Sequence, residues 1–407
     1  MGGRRLLPGV YSAEFADNRG ILGAAFLGLT ASMPATMFYS MGAFMGPLEA
    51  EFGWPRDSLS FAVTLLTIGL FLSGPVAGRL SDSFGAARIA AGSTLLYGIM
   101  LIGLGFYLQS LVQLWIAYFV IAVVGVGSTP IVMVRPVAGA FDKHRGLAIG
   151  IALTGAGIAG FWVPLAATGL IELGGWRTAF AGLGLSACVV APLVYLGFRG
   201  AESDRGDRRE TASTGMSFGE AACTMQFWAL STMAAFMALG VAGLVVHFVP
   251  MFREMGAAPY KAAGLASLIG ISSVAGRIAV GWLLDRIPAT LVSFTILALA
   301  AAGALLLYGF GLQFAVVAVL LLGLAAGAEI DLIAFLCARL FGQRAYGAIY
   351  GWHYSVFALG YGFSPLLAGR GRELTGSYDL TLVLSGFAIL AAAFLAPLAG
   401  RRVAVTG

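Results

Sequence analysis

Apolar residues in this chain come in long runs that are hydrophobic on every side, separated by short turns of glycine, proline, arginine and aspartate. A helix needs about 20 predominantly apolar residues to cross the hydrocarbon of a bilayer. The pattern predicts twelve such helices, over 20–46, 58–79, 86–108, 111–137, 146–171, 176–198, 219–250, 261–283, 289–311, 313–338, 346–368 and 379–400. The first run is too long for the apolar part of a signal peptide and is read as a retained span. Residues 199–217 break the rhythm: Arg199, Glu202, Asp204, Arg205, Asp207, Arg208, Arg209 and Glu210 stand there among serine, threonine and glycine. Such a polar stretch predicts a linker. The expected organisation is one six-helix unit over 1–198, a linker over 199–217 and a second six-helix unit over 218–407.

The two units repeat one another. Gly78-Arg79-Leu80-Ser81-Asp82-Ser83-Phe84-Gly85-Ala86-Ala87-Arg88 is a charged turn between two apolar runs, and Gly281-Trp282-Leu283-Leu284-Asp285-Arg286 is its second copy, displaced by 203 residues. Glu51-x-Gly53 begins 31 residues before Asp82, and Glu254-x-Gly256 begins 31 before Asp285. Phe141 to Gly146 is answered by Phe341 to Gly347, and Glu172 to Trp176 by Glu373 to Tyr378. Parallel halves of this kind predict an all-α membrane protein with twelve transmembrane helices in two pseudo-symmetric six-helix bundles. Charges as dense as Arg79, Asp82 and Arg88 are costly in hydrocarbon and place that turn at a membrane surface.

Composition agrees with lipid as the solvent. Hydrophobic residues make up 59% and charged residues 11%, against roughly a quarter charged in soluble domains. The net charge of +5 is scattered between spans rather than gathered on one face, so no nucleic-acid partner is expected. Of the 24 lysines and arginines, sixteen fall on the side of the termini and linker, six on the other side, and Arg135 and Arg277 on neither. That bias predicts cytoplasmic termini and a cytoplasmic linker. Cys188, Cys223 and Cys337 have no paired spacing, so neither a disulfide nor a metal site is expected, and nothing calls for a cofactor.

Gly155-Ala156-Gly157-Ile158-Ala159-Gly160 has the spacing of a dinucleotide-binding turn, but it lies inside an apolar span and reads as a surface for close helix packing. Ionisable residues inside the spans carry more information, because each is costly unless paired or wet. Arg277 lies eight residues before Asp285, roughly 12 Å along a helix. Glu329 and Asp331, two residues apart, point to different sides of helix 10, so at most one looks straight into a central cavity. His353 lies in helix 11. His247, near the outer end of helix 7, is either a site residue or a packing histidine, and Arg135 either faces the cavity or extends to the headgroups.

The turn Gly-x-x-x-Asp-x-x-Gly-x-x-Arg resembles the loop between helices 2 and 3 of the major facilitator superfamily. Glu51-Phe52-Gly53-Trp54-Pro55-Arg56, Arg145-Gly146-Leu147-Ala148, Gly175-Trp176-Arg177, His247-x-x-Pro250 and the block from Gly276 to Asp285 resemble the monocarboxylate porters and oxalate/formate antiporters within it. The resemblance runs from about residue 20 to 400 and implies the major facilitator fold and organic-anion transport, with protons or by exchange. The helix-8 arginine of that group falls on Arg277. The helix-1 lysine of monocarboxylate porters corresponds to Tyr39, their helix-8 acid to Ser273, and the helix-11 lysine of oxalate exchangers to His353. These departures point away from L-lactate and oxalate and leave monocarboxylates as a class.

With no ATP-binding motif and no enzyme chemistry expected, the expected function is secondary, proton-coupled uptake of a small monocarboxylate by a monomer in the cytoplasmic (inner) membrane. The expected partners are that carboxylate, protons and the lipid bilayer. Arg277, His353, Tyr39, Tyr350, Arg135 and His247 are the candidate substrate ligands. Glu329 and Asp331 are the candidate proton carriers, since a carboxyl that is dry in one state and wet in another can take up and release a proton. Gly78, Arg79, Asp82, Gly85, Arg88, Asp285 and Arg286 are the candidate gate. An exporter of drugs or metabolites on the same fold and a non-transporting membrane receptor are the alternatives.

Overall fold

The computed structural model describes residues 9–203 and 215–399. Most of the linker over 199–217, and Arg4, Arg5, Arg401 and Arg402 of the charge bias, lie outside the described residues. Among these residues nine helical stretches are long and apolar enough to cross a membrane. Two of them hold two crossings each. Arg145–Ser203 parts into spans 5 and 6 at Gly174 and Gly175, where Gly175 adopts φ 79°. Spans 9 (Ala289–Phe310) and 10 (Ala315–Phe341) meet at Gly311, also at positive φ. Span 11 (Tyr346–Thr375) completes the twelve and falls outside the nine because its buried face carries Tyr350, His353, Tyr354 and Ser355.

The remaining spans are span 1 (Arg19–Thr30 with Met33–Phe52), span 2 (Arg56–Phe84), span 3 (Ala86–Tyr107), span 4 (Leu111–Gly125 with Pro130–Ala140), span 7 (Met225–Glu254), span 8 (Pro259–Leu284) and span 12 (Asp379–Ala399). Each half packs internally through spans 1 with 5 and 3 with 6, or 7 with 11 and 12 and 8 with 10. The halves meet along spans 2 with 11 and 5 with 8, which the repeat relates to one another.

Asp82 departs from expectation. It lies not in a turn but on the last turn of span 2, and the chain reverses only at Gly85, with φ 91°. The helix fixes the carboxylate in place, and its two oxygens accept the backbone N–H of Gly347 (3.1 Å) and Ala348 (3.0 Å) at the start of span 11. Asp285 repeats the arrangement, accepting from Gly146 (2.7 Å) and Leu147 (3.0 Å) at the start of span 5. Free N–H groups and the positive end of the helix dipole favour an anion there.

The backbones touch at this end. A β-carbon on Gly281 would lie 2.6 Å from the Gly146 carbonyl, and one on Gly351 2.6 Å from the Gly74 carbonyl. At the other end of the spans, Gly42, Gly46, Gly264 and Gly270 face open space. Two ion pairs there each lie within one half: Arg177 with Glu51 at 2.8 Å, and Arg372 with Glu254 at 3.2 Å. The bundle is therefore clasped across its halves at the Asp82–Asp285 end and parted at the other.

Candidate functional site

Two spans break halfway through the bundle. Span 1 is interrupted at Ala31 and Ser32, and span 4 at Val126–Ser128, with Pro34 and Pro130 in the first turns of the new helices. Backbone freed at such a break must find other partners in a dry interior. The Thr30 carbonyl accepts Trp162 Nε1–H at 3.1 Å, the Ala31 carbonyl accepts the Tyr97 hydroxyl, and Met33 N–H donates to Ser128 Oγ at 2.9 Å. The two breaks thus support one another.

A cavity of about 200 Å³ opens beside them, lined by Ser32, Pro34, Phe38 and Tyr39 of span 1, Leu66, Thr67 and Leu70 of span 2, and Pro130 of span 4. Its opposite wall is Arg277 of span 8, Ala326, Glu329 and Ile330 of span 10, and Tyr354, Phe357 and Tyr361 of span 11. Both restarted helices present a first-turn proline, Pro34 or Pro130, to this space. Their dipoles therefore favour negative charge in the cavity, as does the guanidinium of Arg277 on the facing wall.

Arg277 is held from behind. One terminal nitrogen donates to the Leu153 carbonyl at 2.8 Å and stands 3.9 Å from Asp331. Asp331 is buried and does not line the cavity, whereas Glu329 does. Neither oxygen of Asp331, nor Oε1 of Glu329, has a hydrogen-bond partner. The site so built can exchange one anion for another at Arg277 and can hold protons on two carboxyls.

Of the other residues singled out in the sequence, Tyr39 lines the cavity and four do not. His353 is fully buried against the ring of Phe227 (centroids 4.7 Å apart), its Nδ1 3.0 Å from Ser231 Oγ. Tyr350 is fully buried beside Tyr346. His247 bridges the Tyr378 hydroxyl and the Pro365 carbonyl, each at 3.1 Å, and packs spans 7, 11 and 12 together. Arg135 neither faces the cavity nor extends to the headgroups: its Nε lies 2.9 Å from Asp82 and its Nη1 2.6 Å from the Ser81 carbonyl. It belongs with the clasp. There Arg79 lies over the Phe218 ring at 5.2 Å and Arg286 over Trp282 at 3.9 Å, while Arg88 is exposed.

Sequence reading missed Phe38, Tyr354, Phe357 and Tyr361. It also missed His144, buried 2.6 Å from Glu14 on the helix Gly9–Asp17. The signal for Tyr354, Phe357 and Tyr361 was a tyrosine and phenylalanine stripe at helical spacing on span 11. Two of the glycines of 155–160 pack as read: a β-carbon on Gly155 would crowd Thr30 Oγ1 at 2.9 Å, and one on Gly160 the Tyr39 ring at 3.2 Å, whereas Gly157 has room for one.

Comparison with known proteins agrees with this architecture. A model of the Major Facilitator Superfamily matches residues 22–365. Monocarboxylate transporter 12 of Mus musculus is 28% identical over 350 residues, covering 73% of this chain and 70% of the relative. Monocarboxylate transporter 11 of Homo sapiens is 25% identical over 405 residues, covering 86% and 83%. Among solved structures, the proton:xylose symporter XylE superposes with a TM-score of 0.73 over 93% of this chain and 95% of that one, at 15% identity, which speaks to the fold alone. This chain is a membrane transporter of the Major Facilitator Superfamily.

Proposed function

We propose that the protein takes up a small organic monocarboxylate together with protons, alternating between states open to either side of the membrane. The observation that carries this is the placement of Arg277 and Glu329 on one cavity wall with Asp331 behind them. One guanidinium and two carboxyls cannot all stay charged in a dry cavity without a large desolvation cost. A substrate carboxylate that takes the guanidinium leaves the acids to be neutralised by protons, so substrate and proton travel together. The relatives named monocarboxylate transporters support the class of substrate.

In this reading the clasp at Asp82 and Asp285 is the inner gate. The bias of sixteen positive residues against six supports cytoplasmic termini, and the state described is outward-facing. A monomer with two six-helix domains joined by the 199–217 linker, in the inner membrane of a Gram-negative host, completes the proposal. The test is uptake of labelled monocarboxylates by the purified protein in liposomes held acid outside. Accumulation that collapses with the pH gradient is expected. Uptake of none of them, or uptake indifferent to the gradient, would sink the proposal.

A further inference from the structure

Five of the cavity-lining residues are aromatic, and their rings form one unbroken chain across the two halves. Tyr39 and Phe38 of span 1 lie edge to face at 6.5 Å, and Phe38 meets Tyr361 of span 11 at 6.4 Å. Tyr361 meets Phe357 at 5.8 Å, and Phe357 meets Tyr354 at 6.3 Å. Leu66, Leu70 and Ile330 fill much of the remaining wall. Arg277 and, on the facing wall, the two helix starts make the same space favourable to negative charge.

We infer that the substrate is a monocarboxylate bearing a flat ring, an aryl or arylalkyl acid, with its carboxylate at Arg277 and its ring among Phe38, Phe357 and Tyr361. The inference rests on the carboxylate reading above. Size and shape both support it. An apolar cavity of about 150 Å³ is filled by benzene, so 200 Å³ holds a six-membered ring with room for a carboxylate. A three-carbon acid would leave much of that space to water against aromatic walls. Rings stack edge to face or offset on one another, which gives an aryl group contacts that an alkyl chain of equal length does not make. The ring chain also joins span 1 to span 11, so a seated ring would touch both halves and report its presence to both.

The test is calorimetry on the full-length protein with phenylacetate, benzoate, propionate and lactate, and with benzyl alcohol as the ring without a carboxylate. Phenylacetate or benzoate is expected to bind at least about tenfold more tightly than propionate or lactate. Benzyl alcohol is expected not to bind measurably. Phe357→Leu and Phe38→Leu keep apolar bulk and remove the ring; each should weaken aryl acids several-fold and so narrow their advantage over propionate. Phe357→Ala, if folded, should do the same to a larger degree. Equal affinities for aryl and short acids, all lost in Arg277→Gln, would overturn the ring inference and leave the carboxylate reading standing. Binding of no acid of either size would overturn both.

Discussion

Asp82 and Asp285 are one device built twice: each carboxylate, at the end of its span, accepts two N–H groups in the first turn of a helix in the opposite half. The two copies differ in their cations. Arg135 lies 2.9 Å from Asp82, whereas no arginine or lysine comes within ion-pair distance of Asp285 among the described residues. The carboxylate of Asp285 is held above its ordinary value by burial, which outweighs the lowering effect of the Leu147 and Gly146 amides and of His144 and Arg286.

Neutralising either acid should therefore weaken the clasp unequally. Asp82→Asn also takes from Arg135 the carboxylate it pairs with, whereas Asp285→Asn removes helix-capping bonds. Transport is expected to slow by at least tenfold in Asp82→Asn and less in Asp285→Asn, with substrate affinity within about threefold of the parent in both. Counterflow rates and calorimetry measure the two quantities. A parallel loss of rate and affinity would place Asp82 in the binding site and contradict this account.

Gly78 allows a sharper intervention. Its α-carbon faces the Gly347 carbonyl, and a methyl group there would overlap that backbone, as would one on Gly74 with Ser355 Oγ. Backbone cannot give way as a side chain can. Gly78→Ala is expected to hold the protein open at the Asp82 end, so that cysteines introduced at that end react with a bulky thiol reagent and those at the far end become protected. Unchanged labelling at both ends would show that the halves close without this contact.

The number and order of spans were legible because hydrophobic length marks most of them and the repeat of the two halves supplies the rest. The breaks in spans 1 and 4 were not, although Ser32-Met33-Pro34 and Thr129-Pro130 carry the cap and proline of a helix start inside apolar runs. Asp82 read as a turn because charge marks the membrane surface, and a helix that continues past that surface leaves no mark in hydropathy. On span 11 one residue decided the outcome. His353 and Tyr354 are neighbours about 100° apart on the helix, and it is Tyr354 that meets the cavity while His353 packs on Phe227. Sequence gives that rotation only when the packing of the other spans is known.

Glu329 and Asp331 divide the work in the proposed coupling. Glu329→Gln removes the acid on the cavity wall and should abolish accumulation driven by a pH gradient while preserving exchange of internal for external substrate. Asp331→Asn releases Arg277 from its buried partner, and substrate binding should tighten several-fold while pH coupling weakens. If both variants still concentrate substrate in response to the gradient, the proton is carried elsewhere.

The helix Gly9–Asp17 docks through the Glu14 carboxylate and the ring of Phe15. Burial acts to raise Glu14, but the N–H groups of Asp142 and Lys143 and the His144 side chain outweigh it and hold Glu14 below its ordinary value of 4.5. A depressed carboxylate stabilises the fold above its unfolded value and ceases to do so as pH falls through the folded one. Docking through Glu14 should hold across neutral pH and loosen only below about pH 4.5. Hydrogen exchange at the amides of 142–144 should rise there, and at neutral pH in Glu14→Gln. Protected amides in that variant would mean that the contact of Phe15 with Phe141 docks the helix by itself.

Arg277 carries the substrate assignment, and its own surroundings supply the strictest test. The repeat offset of 203 places Gly74 at the equivalent position of the first half, and Gly74 lies against Ser355 and Gly351 where the halves meet. The scaffold therefore does not require an arginine at this site. A guanidinium can hold a carboxylate with two parallel hydrogen bonds, and lysine keeps the charge without that fork. Arg277→Lys should raise the dissociation constant of a bound monocarboxylate about tenfold, and Arg277→Gln at least a hundredfold. A structural arginine would also lose affinity on substitution, through misfolding, because Gln leaves Asp331 buried without its cation. The double variant Arg277→Gln with Asp331→Asn separates the two. It removes the stranded charge, so thermal stability should return to near that of the parent while binding stays lost. Recovery of binding together with stability would make Arg277 a partner of Asp331 and nothing more, and the carboxylate would have to be held by other groups.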